Sequence, residues 1–326
     1  MAVAIIAILI GLALLVWSSD RFVDGASALA FNLGVSPLVI GLTVVGFGTS
    51  APEILVAAIA AFEGNATLGV GNAIGSNIAN IAMVLGFTAL LYPLAVQSRI
   101  VKMELPLLIG TTIFGAVIIV NGYLSRLDGV LLLLALGSVM AWLVFDAMRS
   151  KRNDVMANEI RDEVETTMTM RQAIFWFVIG LVVLLISARI LVWGAVSIAE
   201  MMGVSDLVIG LTIVAIGTSL PEMAASIAGA KRGESDLVIG NVIGSNIFNL
   251  FGVMAVPGLI APGLLPKEVL TRDYPLMVIL TVVLMLMAFS FRSKLRRINR
   301  VEGGILFAVF VIYQLYLFSS VSGGAV

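Results

Sequence analysis

Two sixteen-residue segments of this 326-residue chain, LVIGLTVVGFGTSAPE at 38–53 and LVIGLTIVAIGTSLPE at 207–222, agree at twelve positions and stand 169 residues apart. The same offset carries Gly71-Asn72 onto Gly240-Asn241, IGSNI at 74–78 onto IGSNI at 243–247, Asn80 onto Asn249 and Pro106 onto Pro275. Further on the offset becomes 174 and matches Arg126, Asp128 and Gly129 to Arg300, Glu302 and Gly303. Agreement of this length is not a chance event. The chain is a duplication, and what one half builds the other builds again.

These halves are made for lipid. Hydrophobic residues form 60% of the chain and charged residues 12%, against about 25% charged in soluble domains. A helix crossing a bilayer needs about 20 apolar residues. Ten stretches qualify: 2–30, 37–62, 68–92, 104–122, 127–147, 173–199, 206–230, 237–260, 274–291 and 303–319. The N-terminal run has no basic region before it and no cleavage site followed by a soluble domain, so it reads as a retained first span. One long charged loop, 148–172, divides five spans from five. The expected organisation is a first repeat over 1–147, a connecting loop over 148–172 and a second repeat over 173–326.

An odd number of spans per repeat turns the second repeat upside down in the membrane. The basic residues agree. Alternate loops and their span ends hold fifteen Lys and Arg on one side and three on the other (Arg126, Lys267 and Arg272), with Arg189 inside the sixth span. By the positive-inside rule the richer side is cytoplasmic. The expected fold is an all-α polytopic membrane protein of ten transmembrane helices, arranged as two inverted five-helix repeats. Its expected place is the plasma (inner) membrane, with both termini outside and the 148–172 loop cytoplasmic. Inverted repeats put binding sites near the midplane, where interrupted helices from the two halves meet.

The second and seventh spans carry GFGTSAPE (46–53) and AIGTSLPE (215–222) in mid-membrane. Proline removes a backbone donor and disrupts the helical ladder. Backbone opened in this way is tolerated in a membrane where it is buried in protein or lines a cavity. Carbonyls, hydroxyls and a carboxylate are the hard oxygen ligands that Ca²⁺ takes, and Na⁺ is hard in the same sense. Glu53 and Glu222 decide the reading. A charge at the bilayer centre costs at least about 2.5–3.5 kcal/mol, and no basic residue stands at the same depth in those spans. A bound cation is the natural partner, and two carboxylates match one Ca²⁺. The competing reading is that Ser50-Ala-Pro-Glu53 and Ser219-Leu-Pro-Glu222 are capping boxes that restart a half-helix. Neutral glutamine would do that at lower cost in lipid.

In the third and eighth spans, Asn72, Ser76 and Asn80 are spaced four apart, and Asn241, Ser245 and Asn249 repeat them, which puts each set on one helix face. Gly71 and Gly75 beside the stripe allow close helix approach. The stripe serves packing or ligation; Ser76, Asn80, Ser245 and Asn249, two or more turns into their spans, are expected to ligate. Asp20, Arg21 and Asp24 read as interfacial or as part of an ion path, and Arg189 as snorkelling. The chain has no cysteine and no histidine, so thiolate sites and Ser–His nucleophiles are excluded. Asp20 and Asp24 share one helix near its end, which does not build a facing pair of aspartates. No enzyme, no cofactor and no nucleic-acid partner are expected. The partners are membrane lipid and the ions, with the monomer as the working unit. A closed cage with two carboxylates suits exchange better than channel conduction.

With GTSAPE paired to GTSLPE, and IGSNIAN (74–80) paired to IGSNIFN (243–249), the chain closely resembles the cation/calcium exchanger superfamily, in particular prokaryotic sodium/calcium exchangers. The resemblance spans essentially the whole chain. It implies that Glu53 and Glu222 are central carboxylate ligands shared by Ca²⁺ and Na⁺. It implies that Thr49, Ser50, Thr218 and Ser219 give hydroxyl and carbonyl ligands to flanking Na⁺ sites, that Gly46 and Ala215 give backbone carbonyls, and that Ser76, Asn80, Ser245 and Asn249 complete the cage. The long first and sixth spans resemble a pair that slides across the other eight. Some relatives carry Asp where this chain has Asn80 or Asn249, and in the potassium-dependent branch such an acid goes with K⁺; Asn at both places argues against K⁺ dependence. The expected function is Na⁺/Ca²⁺ exchange by alternating access. The alternative is H⁺/Ca²⁺ antiport on the same scaffold, with the two glutamates taking up protons; the wording of the repeats favours Na⁺.

Overall fold

The computed structural model describes residues 1–64, 66–153, 168–202, 215–289 and 297–322. Helix α1 (Ala2–Leu33) is closed by Gly34, whose φ of 66° lets the chain turn back on the last carbonyls. Helix α2 (Pro37–Thr49) opens with Pro37 behind Ser36, whose hydroxyl accepts the Val39 N–H at 3.4 Å. At Ser50 the axis bends by 40° into α3 (Ala51–Phe62). Then follow α4 (Ala66–Leu91), α5 (Ile100–Ile119), α6 (Arg126–Asn153) and α7 (Met170–Met201). The short α8 (Ala215–Thr218) leads into α9 (Leu220–Lys231). The chain continues through α10 (Ser235–Ile260), α11 (Val269–Ala288) and α12 (Arg300–Ser322).

Among the described residues eight helices are long and apolar enough to cross a membrane, and the bent α2–α3 pair is a ninth candidate. Residues 206–214 of the expected seventh span lie outside the described residues, as do 154–167 of the connecting loop and Asn65.

Contacts between the halves come in reciprocal pairs. A methyl group at Gly180 would stand 2.6 Å from the backbone nitrogen of Phe22, and one at Gly11 would stand 3.0 Å from that of Leu191; shifting the first pair by 169 gives the second. Gly25 meets the backbone of Phe177, and Gly194 meets Ala4 and Ile8. These four glycines let α1 and α7 touch backbone to backbone. The two helices run antiparallel, with Asn32 donating to the Met168 carbonyl at one end and Met1 beside Met201 at the other.

Four two-residue strands tie the halves as well. β1 (Leu94–Ala95) pairs with β4 (Arg297–Ile298), and β2 (Tyr123–Leu124) pairs with β3 (Gly263–Leu264), both antiparallel. Likewise Gly303 of α12 packs on Gly86 and Leu90 of α4, while Gly129 of α6 packs on Ala255 and Leu259 of α10. The last helix of each half thus lies against the third span of the other. Reciprocity of this kind is what a two-fold relation between the halves requires.

Interloop contacts sort the loops to two ends. Arg99 bonds Asp146, Gln97 bonds Asp236, the Ala95 N–H donates to Ser235, and Arg232 pairs with Asp20 and Asp24. These residues lie in or beside the loops that hold most of the basic residues. Strands β2 and β3 meet at the other end. The core is built from α4 and α10, with Ile74, Ile78, Leu85, Ile243, Ile247 and Phe251 essentially fully buried. α10 buries all of its apolar window and α4 buries 78% of its own, against 28% for α1 and for α7. The site therefore hangs on two helices enclosed by protein.

Candidate cation-binding site

The α2–α3 break is built by sequence. Pro52 has no N–H to give to the preceding turn, and Ser50 takes φ −82° and ψ 1°, off the helical values. Ser219, before Pro221, repeats this with φ −91° and ψ 7°. Just past each break, in the first turn of the restarting helix, stand Glu53 and Glu222, each 1% exposed. The two carboxylates lie within electrostatic reach of one another. Opposite the breaks, α4 and α10 each relax into wider, π-type turns, at Ala79–Leu85 and at Asn249–Val253. Such turns recur at functional sites, and here they contain Asn80 and Asn249.

Hydrogen bonds join the two walls across the halves. The Thr49 hydroxyl donates to the Val45 carbonyl at 3.2 Å, and it lies 3.2 Å from Asn241 Oδ1 and 3.3 Å from Ser245 Oγ. Asn241 Nδ2 reaches Ser226 Oγ at 3.5 Å, and Asn72 Nδ2 donates to the Glu53 carbonyl at 3.2 Å. Close approach is secured by Gly244 and Gly240, where a side chain would strike the carbonyls of Leu42 and Leu38. Gly46 packs on Gly244 and Ser245 in the same contact. At Gly71 and Gly75, the mirror positions, no described residue lies within 4 Å of where a side chain would begin.

Among the described residues eleven buried side-chain oxygens have no hydrogen-bond partner, and six of them are Ser50 Oγ, Glu53 Oε2, Asn80 Oδ1, Ser219 Oγ, Glu222 Oε2 and Asn249 Oδ1. They form three pairs at the 169-residue offset. Ser27 Oγ and Thr88 Oγ1 also lack partners, but Val196 and Pro257 stand at their mirror positions; Asn77 Oδ1 and Glu104 Oε2 lack partners as well, but the oxygens of their mirror residues, Asn246 and Asp273, are bonded. An unpartnered buried polar group costs about 1–3 kcal/mol, more when charged. The same cost is repeated at the same three places in both halves, which makes these atoms the candidates for ligation. All six are hard oxygens of the type that alkali and alkaline-earth cations take. Among the described residues no group of three or more Asp, Glu, His or Cys assembles a metal cluster. A cation here would rest on two carboxylates and neutral oxygens.

The structure also bears on the capping alternative. Neither Ser50 nor Ser219 makes a side-chain cap, so the serine half of each capping box is unformed. Ser76 and Ser245 are buried beside the asparagines on α4 and α10. The Gly46 carbonyl accepts the Ser50 N–H at 3.1 Å, while the Ser219 N–H goes to Ile216 at 3.1 Å. Ala215 opens α8, and Thr218 ends it immediately before the break. Sequence reasoning passed over Asn77 and Asn246, both 1% exposed and bonded across the halves. Their signal was present, since both lie inside the duplicated IGSNI. It was also silent on the pairing of Arg232 with Asp20 and Asp24. Arg189 is exposed on α7.

The family model for sodium/calcium exchanger proteins matches residues 3–145 and 172–319, both halves of the duplication. The chain belongs to the sodium/calcium exchanger family. It is 49% identical over 320 residues to the putative antiporter CaxA of Alkalimonas amylolytica, covering 98% of this chain and 100% of that protein. It is 36% identical over 323 residues to the inner membrane protein YrbG of Escherichia coli, covering 98% of each. A solved structure of the sodium-calcium exchanger NCX_Mj, soaked with zero Na⁺ and Ca²⁺, superposes with a TM-score of 0.83 at 36% identity, covering 97% of this chain and 99% of that one. The chain is thus an all-helical polytopic membrane protein and an antiporter of this prokaryotic exchanger family, a class of transporters and not of enzymes.

Proposed function

We propose that this exchanger couples Na⁺ entry to Ca²⁺ exit by alternating access at the cage around Glu53 and Glu222. One observation carries the reading: six unpartnered, buried oxygens from Ser50, Glu53, Asn80 and their mirror residues Ser219, Glu222 and Asn249. Ca²⁺ takes the two carboxylates, which balance its charge. Na⁺ ions take overlapping positions with the hydroxyls of Thr49, Ser50, Thr218 and Ser219, the carbonyls of Gly46 and Ala215, and Ser76, Asn80, Ser245 and Asn249. An empty cage holds two buried, uncompensated carboxylates, and that cost disfavours switching without an ion. Only the loaded forms then cross, and this couples the two ions.

The scaffold of this proposal is ten spans in two inverted five-helix repeats, 1–147 and 173–326, joined by the 148–172 loop. The reciprocal glycine and strand contacts support it, as does the antiparallel α1–α7 pair. The basic loop end is cytoplasmic by the positive-inside rule, with both termini outside. The inner-membrane name of the Escherichia coli relative agrees with that placement.

The test is Ca²⁺ uptake into liposomes loaded with Na⁺ and diluted into Na⁺-free medium at clamped pH. Uptake that requires internal Na⁺ is expected. Uptake that follows an imposed pH gradient and ignores Na⁺ would move the coupling ion to H⁺.

A further inference from the structure

Asn77 and Asn246 are mirror residues, each 1% exposed, on α4 and α10. They do not behave as mirror images. Asn77 Nδ2 donates to the Asn246 carbonyl at 3.2 Å, and Asn80 Nδ2 donates to Asn246 Oδ1 at 3.2 Å. The two-fold would turn these into Asn246 Nδ2 donating to the Asn77 carbonyl, and Asn249 Nδ2 donating to Asn77 Oδ1. Neither mirror bond is made. The two side-chain atoms that would make them, Asn246 Nδ2 and Asn77 Oδ1, are buried without partners. Asn246 therefore acts as acceptor twice and Asn77 as donor.

This asymmetry falls on a cage residue. An asparagine amide has an oxygen end that suits a cation and a nitrogen end that repels it. With its nitrogen held by Asn246 Oδ1, Asn80 presents a free oxygen. We infer that Asn246 is a positioning residue that turns the Asn80 amide so that its oxygen faces the transported cation. The inference rests on the exchange reading of the cage. It adds that the two halves of the cage are not equivalent: Asn80 is oriented from across the interface by Asn246, while Asn77 does not hold Asn249 in return.

Identical substitutions at the two mirror positions test it. Asn246→Asp keeps the acceptor that Asn80 uses. Asn77→Asp replaces the donor in use and sets a carboxylate against the Asn246 carbonyl. Both add the same charge at mirror places, so a purely electrostatic effect moves both alike. Asn246→Leu removes the acceptor without adding charge. Each variant is read in two ways: KM for Ca²⁺ and maximal rate in liposomes, and the rise in melting temperature of the solubilised protein on adding Ca²⁺. Asn246→Leu is expected to raise the Ca²⁺ KM about tenfold with the maximal rate changed less than about threefold, the size of one lost orienting bond in a buried site. Asn77→Asp is expected to raise KM, and Asn246→Asp to leave it unchanged or lower it. An unchanged KM in Asn246→Leu overturns the inference, and so do equal shifts in the two Asp variants. Should Asn77→Asp not yield monodisperse protein, the contrast between Asn246→Leu and Asn246→Asp decides alone. Wild-type protein showing neither Ca²⁺ uptake nor Ca²⁺ stabilisation would instead remove the exchange reading itself.

Discussion

Two of the helix pairs that join the halves of this exchanger are built on opposite plans. The α4–α10 pair is enclosed by protein and joined by side-chain amides, with Asn77, Asn80 and Asn246 bonded across the interface. The α1–α7 pair lies at the periphery, mostly exposed, and is joined by bare backbone at Gly11, Gly25, Gly180 and Gly194. Directional bonds between buried polar groups hold one geometry and are costly to break. Contacts between glycine-lined apolar helices have no such direction. The first plan fixes the geometry of the proposed ligands; the second gives the α1–α7 slab no directional bond of its own to oppose the shift that the proposed alternating access needs. The polar link from α1 to the α9 end is the Arg232 pairing with Asp20 and Asp24, at the basic end of the molecule.

The largest test of this division falls on the fixed part. Glu53→Gln and Glu222→Gln each keep the size of the side chain and remove one buried charge. Truncating one partner of a buried charged contact costs about 2–5 kcal/mol, so Na⁺-dependent Ca²⁺ uptake should fall by at least about 30-fold in each. Exchange within about threefold of wild type in either variant would reduce that glutamate to a helix cap. A middle-sized effect belongs to the slab. Gly180→Leu drives a side chain into the Phe22 backbone, an overpacking cost of about 1–3 kcal/mol. Transport should fall about tenfold, while Ca²⁺ still raises the melting temperature as in wild type. Loss of that thermal shift would show that the slab also shapes the cage, and the division would fail.

A finer test uses the serines. Ser50→Ala and Ser219→Ala remove hydroxyls that cap nothing and have no partner. A helix-capping serine costs about 1 kcal/mol to replace. Here the ion-free melting temperature should be unchanged, while the Na⁺ concentration for half-maximal exchange rises by about fivefold. A fall in ion-free stability with unaltered Na⁺ dependence would restore the capping reading.

The proposed cage can be read from the sequence because duplication reports twice on the same need. Glu53 with Glu222, and Ser50 with Ser219, stand out since a charge and a Pro break in mid-membrane are costly and are repeated. Asn77 and Asn246 were as visible as letters and were passed over. A four-residue stripe through Asn72, Ser76 and Asn80 assumes a regular helix, and the wider turn over Ala79–Leu85 interrupts that regularity. Periodicity carries no sign of such a turn. Nor does it carry the Arg232 pairing, which joins residues more than 200 positions apart, or the donor–acceptor asymmetry of Asn77 and Asn246.

The smallest effect is expected at Arg232. Its guanidinium lies 3.3 Å from Asp20 and 2.6 Å from Asp24, and it also donates to the Asp20 carbonyl at 2.5 Å. All three side chains are partly exposed. Ion pairs of this kind are worth about 0–1 kcal/mol and weaken in salt. If α1 shifts over the core while α9 stays with the cage, this link must break and re-form in each cycle. A strong link would then slow exchange, and a weak one is what a moving slab needs. Arg232→Ala should therefore change the maximal rate by less than about threefold, leave Ca²⁺ affinity unchanged, and differ least from wild type at high ionic strength. A loss of Ca²⁺ affinity in this variant would place the link in the ion path, and α1 would then belong to the fixed part of the molecule.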